Sequence, residues 1–204
     1  AAALLILWYG GLTFWHTAQP DGFVAAAFCL GFLPLLGHDR PPTWVQALGA
    51  GVAVGFATAV KPNYAVFLLV PAILLLGRHG ARSRPALRGL GAMGLGFALV
   101  VGAFVLWFAL RGALDALLEV HIAYNASAYS GGLAMGDRLE GLVQYLLTGS
   151  VFVVALPAAL VGAAALTRTD RVAAVAILTW ALLAIGTVVL QNKFFDYQWA
   201  PLFA

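Results

Sequence analysis

The chain has 204 residues, of which 63% are hydrophobic and only 9% charged, with a mean hydropathy of +0.95 and a net charge of +3. A soluble domain carries about 25% charged residues, so a surface covered by water is excluded and lipid must solvate much of the molecule. The basic residues form no stripe, which argues against a nucleic-acid partner, and the single Cys29 excludes both a disulfide framework and a cysteine metal site.

In chain order, apolar runs fall at about 1–16, 22–37, 43–60, 63–77, 88–110, 148–167 and 171–190. A helix needs roughly 20 apolar residues to cross a bilayer, which the last three runs supply. The runs at 22–37 and 63–77 are short and would have to sit shallowly or thin the bilayer. The expected fold is an all-α, polytopic transmembrane helical bundle of about seven spans, one transmembrane domain over 1–204. The opening "AAALLILWYG" has neither Met nor a charged region, so it is not a signal peptide, and both ends read as cut through structure, as in a fragment.

Seven of the eleven basic residues lie in alternate loops: Arg40, the group Arg78, Arg82, Arg84 and Arg88, and the pair Arg168 and Arg171. By the positive-inside rule these loops are cytoplasmic, which puts Asp21, Lys61 and the closing "QNKFFDYQWAPLFA" on the outer face. One long outer segment, about 111–147, remains. In it Asp115 and Glu119 stand four apart, opposite Leu114, Leu117, Leu118 and Ile122, as in an amphipathic helix lying at the interface. Further on, Asp137 and Glu140 have the spacing of a capping box that restarts a helix.

The short motifs divide between structure and chemistry. "GLGAMG" (Gly89, Gly91, Gly94) matches the dinucleotide pattern, but it follows a basic loop and opens a span rather than joining strand to helix. With Ala98 and Gly102 it reads as a small-residue packing face. "NAS" at Asn125 matches a glycosylation sequon by accident. His16, His38, His79 and His121 are scattered and lack zinc spacing. Lys61 interrupts an apolar hairpin just before Pro62. It serves equally as a lysine snorkelling to the interface, whose replacement would leave folding nearly unchanged, or as a fixed ammonium for an anionic headgroup. Asp21 reads equally as a helix N-cap or as a site residue.

Taken in order, "HTAQPDGFVAAAF", "VGFATAVKPNYAVFLLVPAILLL", "FALRGALDALLEVHIAYNASAYS" and "QNKFFDYQWAPLFA" resemble the polytopic glycosyltransferases of the GT-C superfamily. The nearest likeness is to bacterial relatives of the dolichyl-phosphate-mannose protein mannosyltransferases and the aminoarabinose transferases. The second stretch resembles the family's Lys-Pro hairpin, and the last its "QgK.f.YH..P" entry into a late span, with Gln198 where His is commoner. The resemblance implies an enzyme of the bacterial inner membrane that moves a sugar from a polyprenyl-phosphate donor to an acceptor on the non-cytoplasmic face. It implies a catalytic Asp upstream of Ala1, a divalent metal ion as cofactor, and membrane lipid and the lipid-linked sugar as partners. It makes Asp21, Lys61, Tyr124, Asn125, Gln191, Lys193 and Tyr197 the substrate-binding residues; none of the residues present is singled out as catalytic or as a metal ligand.

Two other classes compete. A non-catalytic transmembrane accessory or scaffold subunit fits a chain without an evident catalytic group. A transporter would place ionisable residues near the bilayer centre, and the well-defined spans contain none.

Overall fold

A computed structural model describes residues 20–37, 42–124, 127, 134–148, 150–191 and 202. Among these, all regular structure is helical and forms eight α-helices. Three helical segments are long and apolar enough to cross a membrane, Pro62–His79, Arg84–Leu110 and Arg171–Gln191, and Pro20–Leu35 and Trp44–Val60 are shorter apolar ones. This is the make-up of a membrane protein. The expected first span, 1–16, lies outside the described residues.

Helix α1 (Pro20–Phe32) begins on a proline, which is tolerated in a first turn because its missing N–H would have no partner there. It ends in a short 3₁₀ turn, Leu33–Leu35. Helix α2 (Trp44–Val60) is opened by a capping box: the Gln46 N–H donates to Thr43 Oγ1 (3.3 Å) and the Thr43 N–H donates to Gln46 Oε1 (2.8 Å). A seven-residue 3₁₀ helix, Pro62–Leu68, then runs into α3 (Leu69–His79). This corrects the expectation of a shallow span at 63–77. A 3₁₀ helix rises about 2.0 Å per residue against about 1.5 Å for an α-helix, so the combined segment reaches about 30 Å, the thickness of the hydrocarbon core.

Helix α4 (Arg84–Leu110) is capped by Ser83, whose Oγ accepts from the Ala86 N–H (3.2 Å), and it starts four residues before the apolar run. It ends in a Schellman motif around Gly112, at φ +66°, with the Ala113 N–H on Phe108 O (2.9 Å) and the Gly112 N–H on Ala109 O (3.0 Å). Helix α5 (Leu114–Leu118) widens into a π turn, Glu119–Tyr124. Asp115 and Glu119 are exposed, as expected of an interfacial helix. Of the opposite leucine face only Leu117 is buried, while Leu114, Leu118 and Ile122 remain exposed. Helix α6 (Met135–Thr148) begins two residues earlier than the expected cap, so Asp137 lies inside its first turn. Helices α7 (Ser150–Thr169) and α8 (Arg171–Gln191) complete the described bundle.

The core lies among α1, α2, the 3₁₀–α3 segment and α8. Val24, Phe28, Phe32, Val54, Tyr64, Phe67 and Leu74 are buried there, with Ala176 and Ala184 of α8. Helix α4 packs along the outside of α2, and small residues set the approach. A Cβ on Gly51 would strike the backbone of Met93; one on Gly96 would strike the carbonyl of Leu48; one on Gly89 would press on Leu75. The expected packing face is corrected: of its members only Gly89 meets a neighbour, Gly91, Gly94 and Gly102 face open space and Ala98 is exposed, and the close approach to α2 is made instead at Gly96 and Gly51.

The bundle has two distinct ends. Arg78 donates to Asp170, and Gly77 lies against Val172, so α3 and α8 run antiparallel with the end of one beside the start of the other. Asp170 also accepts from the Ala173 N–H (3.0 Å) and so caps α8. His79 Nε2 meets Pro42 O (2.7 Å) at the same end, which carries the arginine loops. Asp21, Lys61 and Gln191 belong to the opposite end.

Candidate functional site

Lys61 is the pivot of the site. A residue before proline is driven from the helical to the extended region, and Lys61 has φ −145° and ψ 122°. Its N–H still donates to Ala57 O (2.9 Å), closing α2, while Pro62 starts the 3₁₀ helix. The Tyr64 N–H donates to Lys61 O (3.1 Å) in the first 3₁₀ turn, and Lys61 and Tyr64 reach the same acceptor. That acceptor is Asp21. Lys61 Nζ donates to Asp21 Oδ1 (3.0 Å) and Oδ2 (2.8 Å), and the Tyr64 hydroxyl donates to Oδ1.

Asp21 is fully buried, Tyr64 is 1% exposed and the Lys61 side chain is 20% exposed. A buried carboxylate requires a charged partner and hydrogen bonds to replace water, and the cluster provides both. Asp21 also sits in the first turn of α1, where the helix dipole favours an anion. Beneath the cluster lies an aromatic column. Tyr64 meets Phe28 edge-on (6.0 Å) and Phe67 (5.7 Å), Phe28 stacks on Phe67 (4.7 Å) and Phe32 (5.2 Å), and Trp180 of α8 meets Phe32 edge-on (5.3 Å). The rings fix the phenol, and through it the carboxylate.

The segment that follows α4 is tied to this end at two points. His121 Nε2 meets Ala59 O (2.9 Å), two residues before Lys61, and its ring lies 5.5 Å from that of Phe104. Arg138 of α6 is buried and donates to Leu190 O at the end of α8 (3.1 Å), next to buried Gln191. At the end of α4, the Arg111 guanidinium stacks over Trp107 (4.4 Å).

Of the residues expected to bind substrate, Asp21 and Lys61 are brought together. Gln191 closes α8 at the same end. Tyr124 ends the π turn and is 61% exposed; its carbonyl accepts from the Ser127 hydroxyl (3.0 Å). Asn125, Lys193 and Tyr197 lie outside the described residues, as do His16 and His38. Asp21 is not the N-cap expected: it stands inside the first turn of α1, which begins at Pro20, and its oxygens hold Lys61 and Tyr64. Lys61 is not a freely snorkelling lysine either. Its replacement would strand a buried carboxylate, so the expectation of unchanged folding does not hold. Sequence reasoning missed the roles of Tyr64 and Arg138 and the Arg78–Asp170 pair. The spacing of three from Lys61 was the available signal for Tyr64.

Among the described residues no three His, Cys, Asp or Glu side chains gather as a metal site. Asp21 already accepts from Lys61 and Tyr64, and among the described residues no second carboxylate or imidazole stands beside it, so the described residues do not fit a divalent ion. What the fold and the site define is a helical membrane protein with a buried, aromatic-backed ion pair at one end. Comparison with known proteins gives no matching family model, no matching curated protein and no matching solved structure.

Proposed function

We propose that the chain is part of a membrane glycosyltransferase that moves a sugar from a polyprenyl-phosphate donor to an acceptor on the non-cytoplasmic face of the bacterial inner membrane. The observation that supports this most is the Asp21–Lys61–Tyr64 cluster, at the end of the bundle opposite the arginine loops. A lipid phosphate at the bilayer boundary needs a cation held in place, and Lys61 is such a cation. Asp21 keeps it aimed, and Tyr64 fixes Asp21. In the transfer, an acceptor oxygen attacks the sugar's anomeric carbon, the bond from that carbon to the phosphate oxygen breaks, and polyprenyl phosphate leaves with the electron pair. A positive group beside the departing phosphate stabilises that charge as it develops. On this reading Lys61 is the phosphate-binding residue and Asp21 is a positioning residue, and Lys193 is the other lysine proposed to meet the phosphate. The general base lies elsewhere, upstream by the family resemblance.

The accessory-subunit reading draws on one specific feature: Lys61 is already neutralised by Asp21, as a purely structural pair would be. Incubating the reconstituted full-length protein with polyprenyl-phosphate sugars and scoring release of polyprenyl phosphate separates the two. Turnover of any one donor supports transfer. Neither turnover nor binding across a panel of donors would leave the accessory role.

A further inference from the structure

We infer that the arginine end of the bundle is a binding surface for anionic phospholipid headgroups, built from Arg82, Arg84, Arg88, Arg168 and Arg171. This goes beyond the sugar-transfer reading and does not depend on it.

The five arginines come from two loops that the fold joins. Arg82 lies in the turn after α3, which Gly80 opens at φ +83° and the Ser83 N–H to Gly80 O bond closes (3.1 Å). Arg84 and Arg88 follow in the first turns of α4, while Arg168 ends α7 and Arg171 starts α8. The Arg78–Asp170 pair and the contact of Gly77 with Val172 hold the two loops side by side. All five arginines are exposed.

Their charge is not consumed within the described molecule. Among the described residues none of the five guanidiniums has an ion-pair partner, and Asp170, the acid between Arg168 and Arg171, is engaged by Arg78 and the cap of α8. Nor does their placement serve the helices. Arg84, Arg88 and Arg171 stand at helix starts, where the dipole is positive and a cation is mildly unfavourable.

Length places them at the headgroups. Helix α4 has 27 residues, or about 40 Å, against a hydrocarbon core of about 30 Å. The excess matches its first turns, where exposed Leu87 between Arg84 and Arg88 can enter the acyl region while the guanidiniums stay above it. Planar guanidiniums pair with phosphate through two parallel hydrogen bonds, and clustered basic residues beside a span are the pattern that anionic lipids recognise.

The test uses the full chain in phosphatidylcholine bilayers carrying spin-labelled phosphatidylglycerol or spin-labelled phosphatidylcholine, and reads the motionally restricted fraction of each. The parent should restrict phosphatidylglycerol preferentially, by about fivefold for each arginine engaged. R84Q/R88Q, which keeps the other three arginines and so the orientation, should lose most of that preference. R84K/R88K should keep it, as should R111Q at the opposite end. Equal restriction of the two lipids by the parent would overturn the inference. So would a preference that is undiminished in R84Q/R88Q, or that falls as far in R84K/R88K. Displacement of the labelled lipid by inorganic phosphate would reassign the surface to a soluble phosphate and overturn it as well.

Discussion

Asp21 and Lys61 are forty positions apart in the chain and meet at 2.8 Å. Neither could be identified with the other from the sequence, because spacing within one helix reports only on that helix. What was legible was local: a lysine before a proline at the end of an apolar run, and an acid at the start of another. The partnership has an energetic consequence. Removing one member of a buried pair strands the other, at a cost of about 3–5 kcal/mol. Lys61→Gln should therefore lower the thermal midpoint in detergent clearly, and Asp21→Asn/Lys61→Gln should recover much of the loss. Additive losses in the double variant would mean that the two side chains do not support each other.

At the scale of elements, hydropathy located the described helices well but not the details that shape them. The capping box of α2 was written in "TWVQ", Thr43 with Gln46 three residues on, a pattern that a search for apolar runs passes over. The 3₁₀ form of Pro62–Leu68 has no clear sequence signal, yet it turns a short run into a segment long enough to cross a membrane. Packing was harder still. "GLGAMG" offered several equivalent glycines, and only the direction of α2 selects among them. Gly51→Ala should destabilise by about 1–3 kcal/mol, because the methyl meets the Met93 backbone, which cannot step aside. Gly94→Ala should be neutral or stabilise by about 0.5–1 kcal/mol, since it faces open space and gains helix propensity. Unfolding of the two variants side by side checks the register of α2 on α4, and equal effects would refute it.

For the molecule as a whole, the charge pattern and the fold agree on which loops share an end. The chain's seven alternate-loop basic residues include Arg78, Arg168 and Arg171, and the Arg78–Asp170 pair joins their loops. Which side of the membrane that end faces rests on the positive-inside rule alone. In a Cys29→Ala background, an impermeant maleimide applied to intact cells should label Asp115→Cys and miss Ser83→Cys. The reverse pattern would turn the proposed site to the cytoplasm and contradict a donor used on the outer face.

The central claim is that Lys61 holds the phosphate of a polyprenyl carrier, and binding of polyprenyl phosphate itself tests it without knowledge of the sugar. The measurement is its affinity for the reconstituted full chain as parent, Asp21→Asn and Asp21→Asn/Lys61→Gln. The double variant strands no buried charge, so its behaviour reports on the missing ammonium rather than on folding. A charge-assisted contact contributes about 1.5–3 kcal/mol, so the double variant should bind roughly tenfold or more weakly than the parent. Asp21→Asn, which keeps the ammonium, should bind more tightly than the double variant. If the double variant binds as the parent does, Lys61 does not hold the phosphate and the pair is structural.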